Sequence, residues 1–168
     1  AASLEFTLQF GDGTVGGDLN FGFVFASEEY IDFVNSNFND EFQLLINGID
    51  VALVAGQKVN INNVNPTSNS SFYVNNVAND GGFPVANLGM KFDGRTTFLV
   101  ASALGLPSGQ HTAKFVVADV GDSALDSAVF IQAGSFNPDQ PRPDEGVIPV
   151  PAALPLLATG LLGLGAVS

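Results

Sequence analysis

The sequence predicts an all-β protein, an antiparallel β-sandwich of jelly-roll type followed by a proline-rich linker and a hydrophobic helical tail. Short apolar or alternating segments recur along the chain at a spacing of about ten residues. Turn-forming Gly, Asn, Asp and Pro residues separate these segments. No long segment has the 3.6-residue period of an amphipathic helix. These observations are typical of two packed sheets of short strands.

The composition fits one domain with a core rich in phenylalanine. A length of 168 residues suits one domain and a short appendage. The chain is 46% hydrophobic and has 15 Phe, but it has no Trp and no Cys. The core is therefore expected to form without disulfide bonds, and the absence of Cys leaves the redox compartment open.

The charge excludes two classes of partner. The net charge is −12, with only five Lys and Arg residues. Nucleic acid and anionic lipid surfaces both require a basic face, so neither is an expected partner. An acidic protein is instead suited to divalent cations.

The first strands follow from the pattern at the start of the chain. The small residues at positions 1–3 are typical of the end left by a signal peptidase, which predicts an exported protein. Leu4–Phe10 alternates apolar and polar residues and is predicted to be a half-buried strand. Leu19–Phe25 is predicted to be the second strand, with its three Phe side chains in the core. Ser27–Val34 suits one or two helical turns capped by Ser27.

A hairpin is predicted in the middle of the domain. Glu41–Ile46 and Ile49–Val54 flank Asn47-Gly48, the strongest two-residue signal for a hairpin turn. Lys58–Val64 is predicted to be a further short strand.

A second hairpin and the last strands follow. Met90–Phe92 and Arg95–Ala101 flank Asp93-Gly94, which predicts another tight turn. His111–Ala118 and Asp126–Ser135 are predicted to be the last two strands.

The chain is expected to have three parts. Residues 1–136 form the sandwich, 137–147 a semi-rigid proline-rich linker and 148–168 a hydrophobic tail without charge. Pro149, Pro151 and Pro155 keep the start of the tail extended, whereas the part after it can be helical. The 17 residues from Ala152 on would be about 25 Å long as a helix, near the short limit for crossing a bilayer.

Carboxylates gather where predicted strands end, which indicates a metal site. One group lies between residues 25 and 42, and the other between residues 118 and 130. Calcium prefers six to eight oxygen ligands, so a discontinuous calcium site at one end of the sandwich is predicted. The alternative is that these residues only form turns and face solvent. The expected ligands are Glu28, Asp40, Asp119, Asp122 and Asp126.

The sequence offers few residues that are suited to catalysis. His111 is the only His, so a zinc site or a Ser/His/Asp triad is not expected. Glu28 and Glu29 are adjacent in sequence, whereas a glycosidase requires two carboxylates at a set separation across a cleft. We therefore expect no enzyme and no cofactor other than calcium.

Four separated motifs resemble a known family. Phe25–Tyr30, Phe38–Phe42, Phe92–Thr97 and Ala118–Phe130 are similar to the choice-of-anchor L domain of bacterial surface proteins. The resemblance covers about Leu19 to Phe136. It implies an exported protein of the cell surface or extracellular matrix of a Gram-negative bacterium, with no implied activity.

The tail resembles a different element. From Val150 on it is similar to PEP-CTERM-type sorting signals, in the Val-Pro-x-Pro-Ala variant. This resemblance implies processing by an exosortase-type enzyme. Such signals normally end in a basic cluster, which does not occur up to Ser168. We therefore expect the tail to contact the membrane only transiently.

Three function classes follow. The favoured one is a calcium-stabilised structural protein of the surface or biofilm matrix, which forms a homopolymeric filament through its hydrophobic tail. The alternative is a calcium-dependent carbohydrate-binding or adhesion module anchored to the envelope, with exopolysaccharide as its partner. A hydrolase is the weakest of the three.

Overall fold

Two antiparallel sheets pack face to face in this computed structural model, which confirms the predicted sandwich. The structure describes residues 1–11, 13, 15–78, 84–86, 89–121 and 125–135. The predicted linker, the tail and Asp122 lie outside these residues. The strands are β1 (Ala2–Phe10), β2 (Gly17–Ser27), β3 (Glu41–Ile46), β4 (Ile49–Asp50), β5 (Leu53–Val54), β6 (Gln57–Asn60), β7 (Tyr73–Asn75), β8 (Gly94–Thr96), β9 (Leu99–Leu106), β10 (Gly109–Ala118) and β11 (Ser127–Ile131).

Sheet A has six strands in the order β1-β10-β3-β6-β5, with β4 paired to β3. Its longest contact joins β1 to β10, from Ala2 opposite Val117 to Phe10 opposite Gly109. This pairing joins residues about a hundred positions apart, so no local sequence pattern predicts it.

Sheet B has five strands in the order β11-β2-β8-β7, with β9 paired to β2. One edge of β2 pairs with β8 and β9, which follow each other along it. The other edge pairs with β11, from Ser27 opposite Ser127 to Phe23 opposite Ile131.

The core lies between the sheets and is aromatic, as the composition predicts. Phe21, Phe23 and Phe25 of β2 are all buried. Phe21 packs on Phe115 of β10 with ring centroids 5.0 Å apart, and Phe23 packs on Phe42 of β3 at 4.8 Å. Because alternate residues of a strand face one side, the three Phe side chains of β2 fill the core together.

The first predicted hairpin is confirmed, but its second strand is short. Asn47 and Gly48 both have positive φ, as a two-residue turn requires, and Ile46 lies opposite Ile49. The predicted strand over residues 49–54 is interrupted at Val51 and Ala52. There the Oδ1 atom of Asp50 accepts hydrogen bonds from the backbone N–H groups of Leu44 and Ala52.

The second predicted hairpin is wrong. Gly94 begins β8 and pairs with β2 and β7 instead of making a turn. A Cβ atom at Gly94 would lie 2.7 Å from the Tyr73 ring and 2.9 Å from the Tyr30 Cβ atom. This glycine therefore allows close packing and does not reverse the chain.

The one or two helical turns predicted at Ser27–Val34 are reduced to one turn, and no helix forms there. β2 continues to Ser27, and the chain then makes a single turn in which the Phe33 N–H donates to the Glu29 carbonyl at 3.1 Å. Among the described residues, no helix has the length and apolar character needed to cross a membrane.

Candidate functional site

Two regions of the sandwich carry the functional argument. The strand-end cluster consists of Glu28, Asp40, Lys91, Asp126 and Ser127, where β2 and β11 meet the loop before β3. The second region is an apolar groove between the edge strands β1 and β11. Both are built by pairings between remote parts of the chain.

Asp40 is the anchor of the strand-end cluster. It is fully buried, and its Oδ2 atom accepts a hydrogen bond of 2.7 Å from the Ser127 hydroxyl. Its Oδ1 atom accepts one of 3.0 Å from the Val120 N–H, and its carbonyl accepts one of 3.2 Å from the Ile61 N–H. A buried carboxylate needs such donors. Asp40 therefore ties β11 and the segment after β10 to the loop before β3.

Glu28 and Asp126 share a cation from the protein itself. The Lys91 Nζ atom lies 2.8 Å from Oε1 of Glu28 and 3.4 Å from Oδ2 of Asp126. The Asp126 N–H donates to Oε2 of Glu28 at 3.2 Å. The hydrogen bond with Glu28, more than any other interaction, raises the pKa of the Lys91 ammonium. Lys91 is 73% exposed, so solvent screens this attraction.

The structure brings most of the predicted calcium ligands to one end of the sandwich. Glu28, Asp40 and Asp126 lie there, and Asp119 directly follows β10. Asp122 is outside the described residues. Within the part of the chain that is described, no three His, Cys, Asp or Glu side chains are grouped so that they can hold a metal ion. The calcium site stays a prediction, and Lys91 is the participant that sequence reasoning missed.

A second missed feature is the buried pair of tyrosines behind this cluster. Tyr30 is fully buried, and its ring lies 5.0 Å from that of Tyr73. Burial first, and then the nearby Tyr73, raise the pKa of Tyr30 far above its ordinary value. Tyr30 is therefore neutral and acts as a packing residue. No pattern in the sequence marked it as core.

The apolar groove is a place where the hydrophobic core is not fully covered. It has a volume of about 270 Å³. Leu4 lies opposite Phe115 in the β1–β10 pairing, so both side chains are on the inner face of sheet A. Yet Leu4 is 61% exposed, and Ile131 of β11 is 44% exposed. The groove is lined by Ala2, Ser3, Leu4, Phe115, Val117, Val129 and Ile131.

The groove is open because sheet B is narrower than sheet A on this side. β11 is the last strand of sheet B, and within the described chain it pairs only with β2. β1 lies one strand further out in sheet A, and β11 leaves the inner face of the first residues of β1 uncovered, whereas Phe10 at the other end of β1 lies beside Gly17 of β2. An inner-facing Leu that stays exposed beside a free strand edge indicates a position where another strand fits.

A larger pocket of about 470 Å³ opens beside β7. Its lining is mostly apolar, and the residues in it with polar side-chain groups are Ser70, Tyr73 and Asn75. The Asn75 amide already donates to the Val77 carbonyl at 3.0 Å. Sugar binding requires several convergent polar groups, so this pocket gives the carbohydrate alternative little support.

The family comparison agrees with the resemblance in the sequence. The family model of the choice-of-anchor L domain matches residues 1–137. The match includes β1, and so it contains both walls of the groove as well as the strand-end cluster. A search of curated proteins finds no match, and neither does a search of solved structures.

Proposed function

We propose a structural role for this chain, which belongs to the choice-of-anchor L domain family and is therefore associated with the cell surface. In this proposal it is a subunit of the surface layer or extracellular matrix of a Gram-negative bacterium. Copies assemble head to tail, because the hydrophobic tail of one copy binds the domain of the next. Such heterologous contacts form filaments when they do not close into a ring.

The apolar groove is the observation that carries this proposal. A protein that works alone in water gains nothing from leaving inner-face residues such as Leu4 and Ile131 exposed. An open sheet edge with apolar residues beside it promotes pairing with another chain. The groove therefore supports a role in which contact between chains is the function.

The tail has the chemistry of the missing partner. Ten large apolar residues, all Val, Ile or Leu, lie between Val147 and Val167, without a charge among them. Burying each of these side chains contributes about 1.5–3 kcal/mol before entropy is counted. The free energy of such a segment is lower against an apolar surface of a neighbouring copy than in water.

Processing of the tail would work against this assembly, so polymers would form only from copies that keep the tail. An exosortase-type enzyme that recognises the PEP-CTERM-like tail would remove the segment on which assembly depends. Cleavage would then convert a polymerising chain into a monomer. In this view the tail contacts the membrane only transiently, before export is complete.

Calcium is proposed as a stabiliser of the strand-end cluster. Its expected ligands are Glu28, Asp40, Asp119, Asp122 and Asp126. Of these, Asp126 is exposed, and among the described residues its carboxylate contacts only Lys91, at 3.4 Å, so it is the carboxylate most available to an added cation.

Removal of the tail tests the proposed assembly. The full chain should form polymers that grow with concentration, visible by light scattering and electron microscopy. The chain without residues 147–168 should remain a monomer with an unchanged melting temperature. A second variant replaces Ile148 and Val150 with Asp in the full chain, which should also prevent assembly. Polymers formed by the shortened chain would overturn the proposal.

A further inference from the structure

We propose that the start of the tail, Ile148–Leu154, adds as an antiparallel strand to the free edge of β11 in a second copy. This inference rests on the proposed tail-dependent assembly and names the acceptor and the mode of binding. The partner is thus a second copy of this chain, and its docking surface is the groove between β1 and β11.

The free edge of β11 has the required geometry. The Gln132 N–H donates to the Gly22 carbonyl, and the Glu28 N–H donates to the Asp126 carbonyl, both at 3.0 Å. Even-numbered residues therefore direct their backbone groups across the β2–β11 pair. Because successive residues of a strand point to opposite edges, Val129 and Ile131 direct their N–H and C=O groups to the free edge.

An incoming strand must satisfy two conditions at once. In an antiparallel pair, residues that exchange hydrogen bonds carry their side chains on the same face. Val129 and Ile131 line the groove on the inner face of sheet B. The residues that bond to them must therefore also point their side chains into the groove. The donor consequently needs apolar side chains and intact N–H groups at the same alternate positions.

The tail meets both conditions. Its even positions are Ile148, Val150, Ala152 and Leu154, which are all apolar and all retain an N–H group. Its prolines, Pro149, Pro151 and Pro155, are all at odd positions. As a strand, this segment has one edge that can donate a hydrogen bond at every position and one edge that can donate only at Ala153.

The proline edge also explains why the sheet would end there. Once the donor is paired with β11, the prolines lie along the new outer edge. An edge without N–H groups at these positions gives a further strand little to pair with. The added strand therefore closes sheet B and covers Leu4 without starting lateral aggregation.

β11 is a better acceptor than β1, although both border the groove. A strand added to β1 would widen sheet A and leave Leu4 facing no strand. A strand added to β11 lies opposite β1, because β11 is the last strand of sheet B and β1 is one position further out in sheet A. Only the second arrangement buries the exposed inner face.

The linker favours a second copy over the same chain. Residues 137–147 contain Pro138, Pro141 and Pro143. An extended proline-rich segment of this length spans roughly 34 Å at about 3.1 Å per residue. In this proposal, a stiff segment disfavours the reversal that would bring the donor strand to its own groove, which lowers the effective concentration for closure within one chain.

Two adjacent alanines provide a matched test. In the full chain, Ala152→Pro removes an N–H group that the donor directs at β11, whereas Ala153→Pro only extends the existing proline pattern. Ala152→Pro should raise the concentration needed for polymerisation by about tenfold or more. Ala153→Pro should leave it unchanged. Tail-dependent polymers that respond equally to both variants would overturn strand donation and leave the proposed assembly intact.

A disulfide test identifies the acceptor copy. The natural chain has no Cys, so Leu4→Cys and Val150→Cys can be placed in separate chains and mixed under mild oxidation. A disulfide between the two different chains is the expected result, and it should not form when the tail variant also carries Ala152→Pro. In a chain that carries both cysteines, a bond within the monomer would overturn the second-copy acceptor. Failure of the wild-type chain to polymerise at all would instead reject the proposed function.

Discussion

The strand-end cluster and the apolar groove lie on one sandwich, but one buries polar groups with their partners and the other leaves apolar groups exposed. At the cluster, the fully buried Asp40 accepts two hydrogen bonds at its carboxylate and one at its backbone carbonyl, all from elements far apart in the sequence. At the groove, side chains that belong to the core remain exposed because a strand is missing opposite β1. The cluster thus satisfies its own buried carboxylate, whereas at the groove part of the apolar inner face stays exposed.

This difference separates stability from assembly. Polar groups in the interior are costly when their partners are lost, so changes in the strand-end cluster should act on folding. An exposed apolar residue contributes little to folding, so changes in the groove should act on contact between copies. Variants in the two regions are therefore expected to have separate effects.

The largest effect on stability is expected at the cluster. Asp40→Ala leaves the Val120 N–H and the Ser127 hydroxyl without their acceptor in a buried place. Each unsatisfied donor costs about 1–3 kcal/mol, so unfolding in urea should require about 3 kcal/mol less free energy. Asp40→Asn is the control, since it keeps one acceptor oxygen and should lose less. A loss below about 0.5 kcal/mol in Asp40→Ala would contradict the anchor role.

The groove should show the opposite pattern. Leu4→Ser removes an apolar side chain that is already 61% exposed, so the free energy of unfolding should change by less than about 0.5 kcal/mol. Polymerisation should require about tenfold more protein or higher, because the buried leucine contributes to the interface only after docking.

Phe98→Ser is the matched control for the groove. Phe98 is 50% exposed and does not line the groove, although its pocket beside Val24 and Phe130 shares Ile131 with it. Its replacement removes a comparable apolar surface, yet polymerisation should continue. Equal losses in both variants would mean that general hydrophobicity drives assembly, and the comparison between the two regions would fail.

The sequence was sufficient for the fold because its signals there are local. Alternation placed the three Phe side chains of β2 in the core, and Asn47-Gly48 marked a real turn. The same kind of signal failed at Asp93-Gly94, where the glycine is needed for close contact with Tyr73 and Tyr30. A local pattern cannot tell a turn glycine from a packing glycine.

The candidate sites were less predictable because they depend on long-range pairing. Carboxylates at strand ends were visible in the sequence, but the position of Lys91 between Glu28 and Asp126 was not. The groove was invisible for the same reason. Leu4 looks like any inward residue of an alternating strand until the strand order leaves it without a cover.

Calcium should produce a smaller change that sharpens the picture of the cluster. If the acidic residues bind calcium, a concentration of 100 times the dissociation constant stabilises the fold by about 2.7 kcal/mol at most. The melting temperature should rise with calcium and return with EGTA. Lys91→Gln should increase the response, because it removes the competing ammonium between Glu28 and Asp126. If calcium shifts the melting temperature of neither protein, the strand-end cluster serves only as a set of internal hydrogen bonds.

The smallest expected effect is a pH dependence at Asp50, where the first hairpin is interrupted. Burial raises the pKa of this carboxyl above its ordinary value of 3.8, although the hydrogen bonds from Ala52 and Leu44 oppose the shift. Its Oδ2 atom is buried and has no hydrogen-bond partner among the described residues. The folded chain therefore holds this proton more tightly than the unfolded chain. The contribution of Asp50 to stability is fully present below pH 3.8 and is lost as the pH rises through the folded pKa.

Asp50→Asn isolates this dependence, because the amide keeps one acceptor oxygen and does not titrate. Between pH 3 and pH 7, the urea midpoint of Asp50→Asn should rise relative to that of the natural protein. Only the natural protein must ionise a buried group in this range. Glu5→Gln on β1 serves as the control for a general change in charge, because Glu5 is not among the groups that shift the Asp50 pKa. A difference between natural protein and Asp50→Asn that stays constant over this range would show that water reaches the carboxylate, and that the break in the hairpin carries no electrostatic cost.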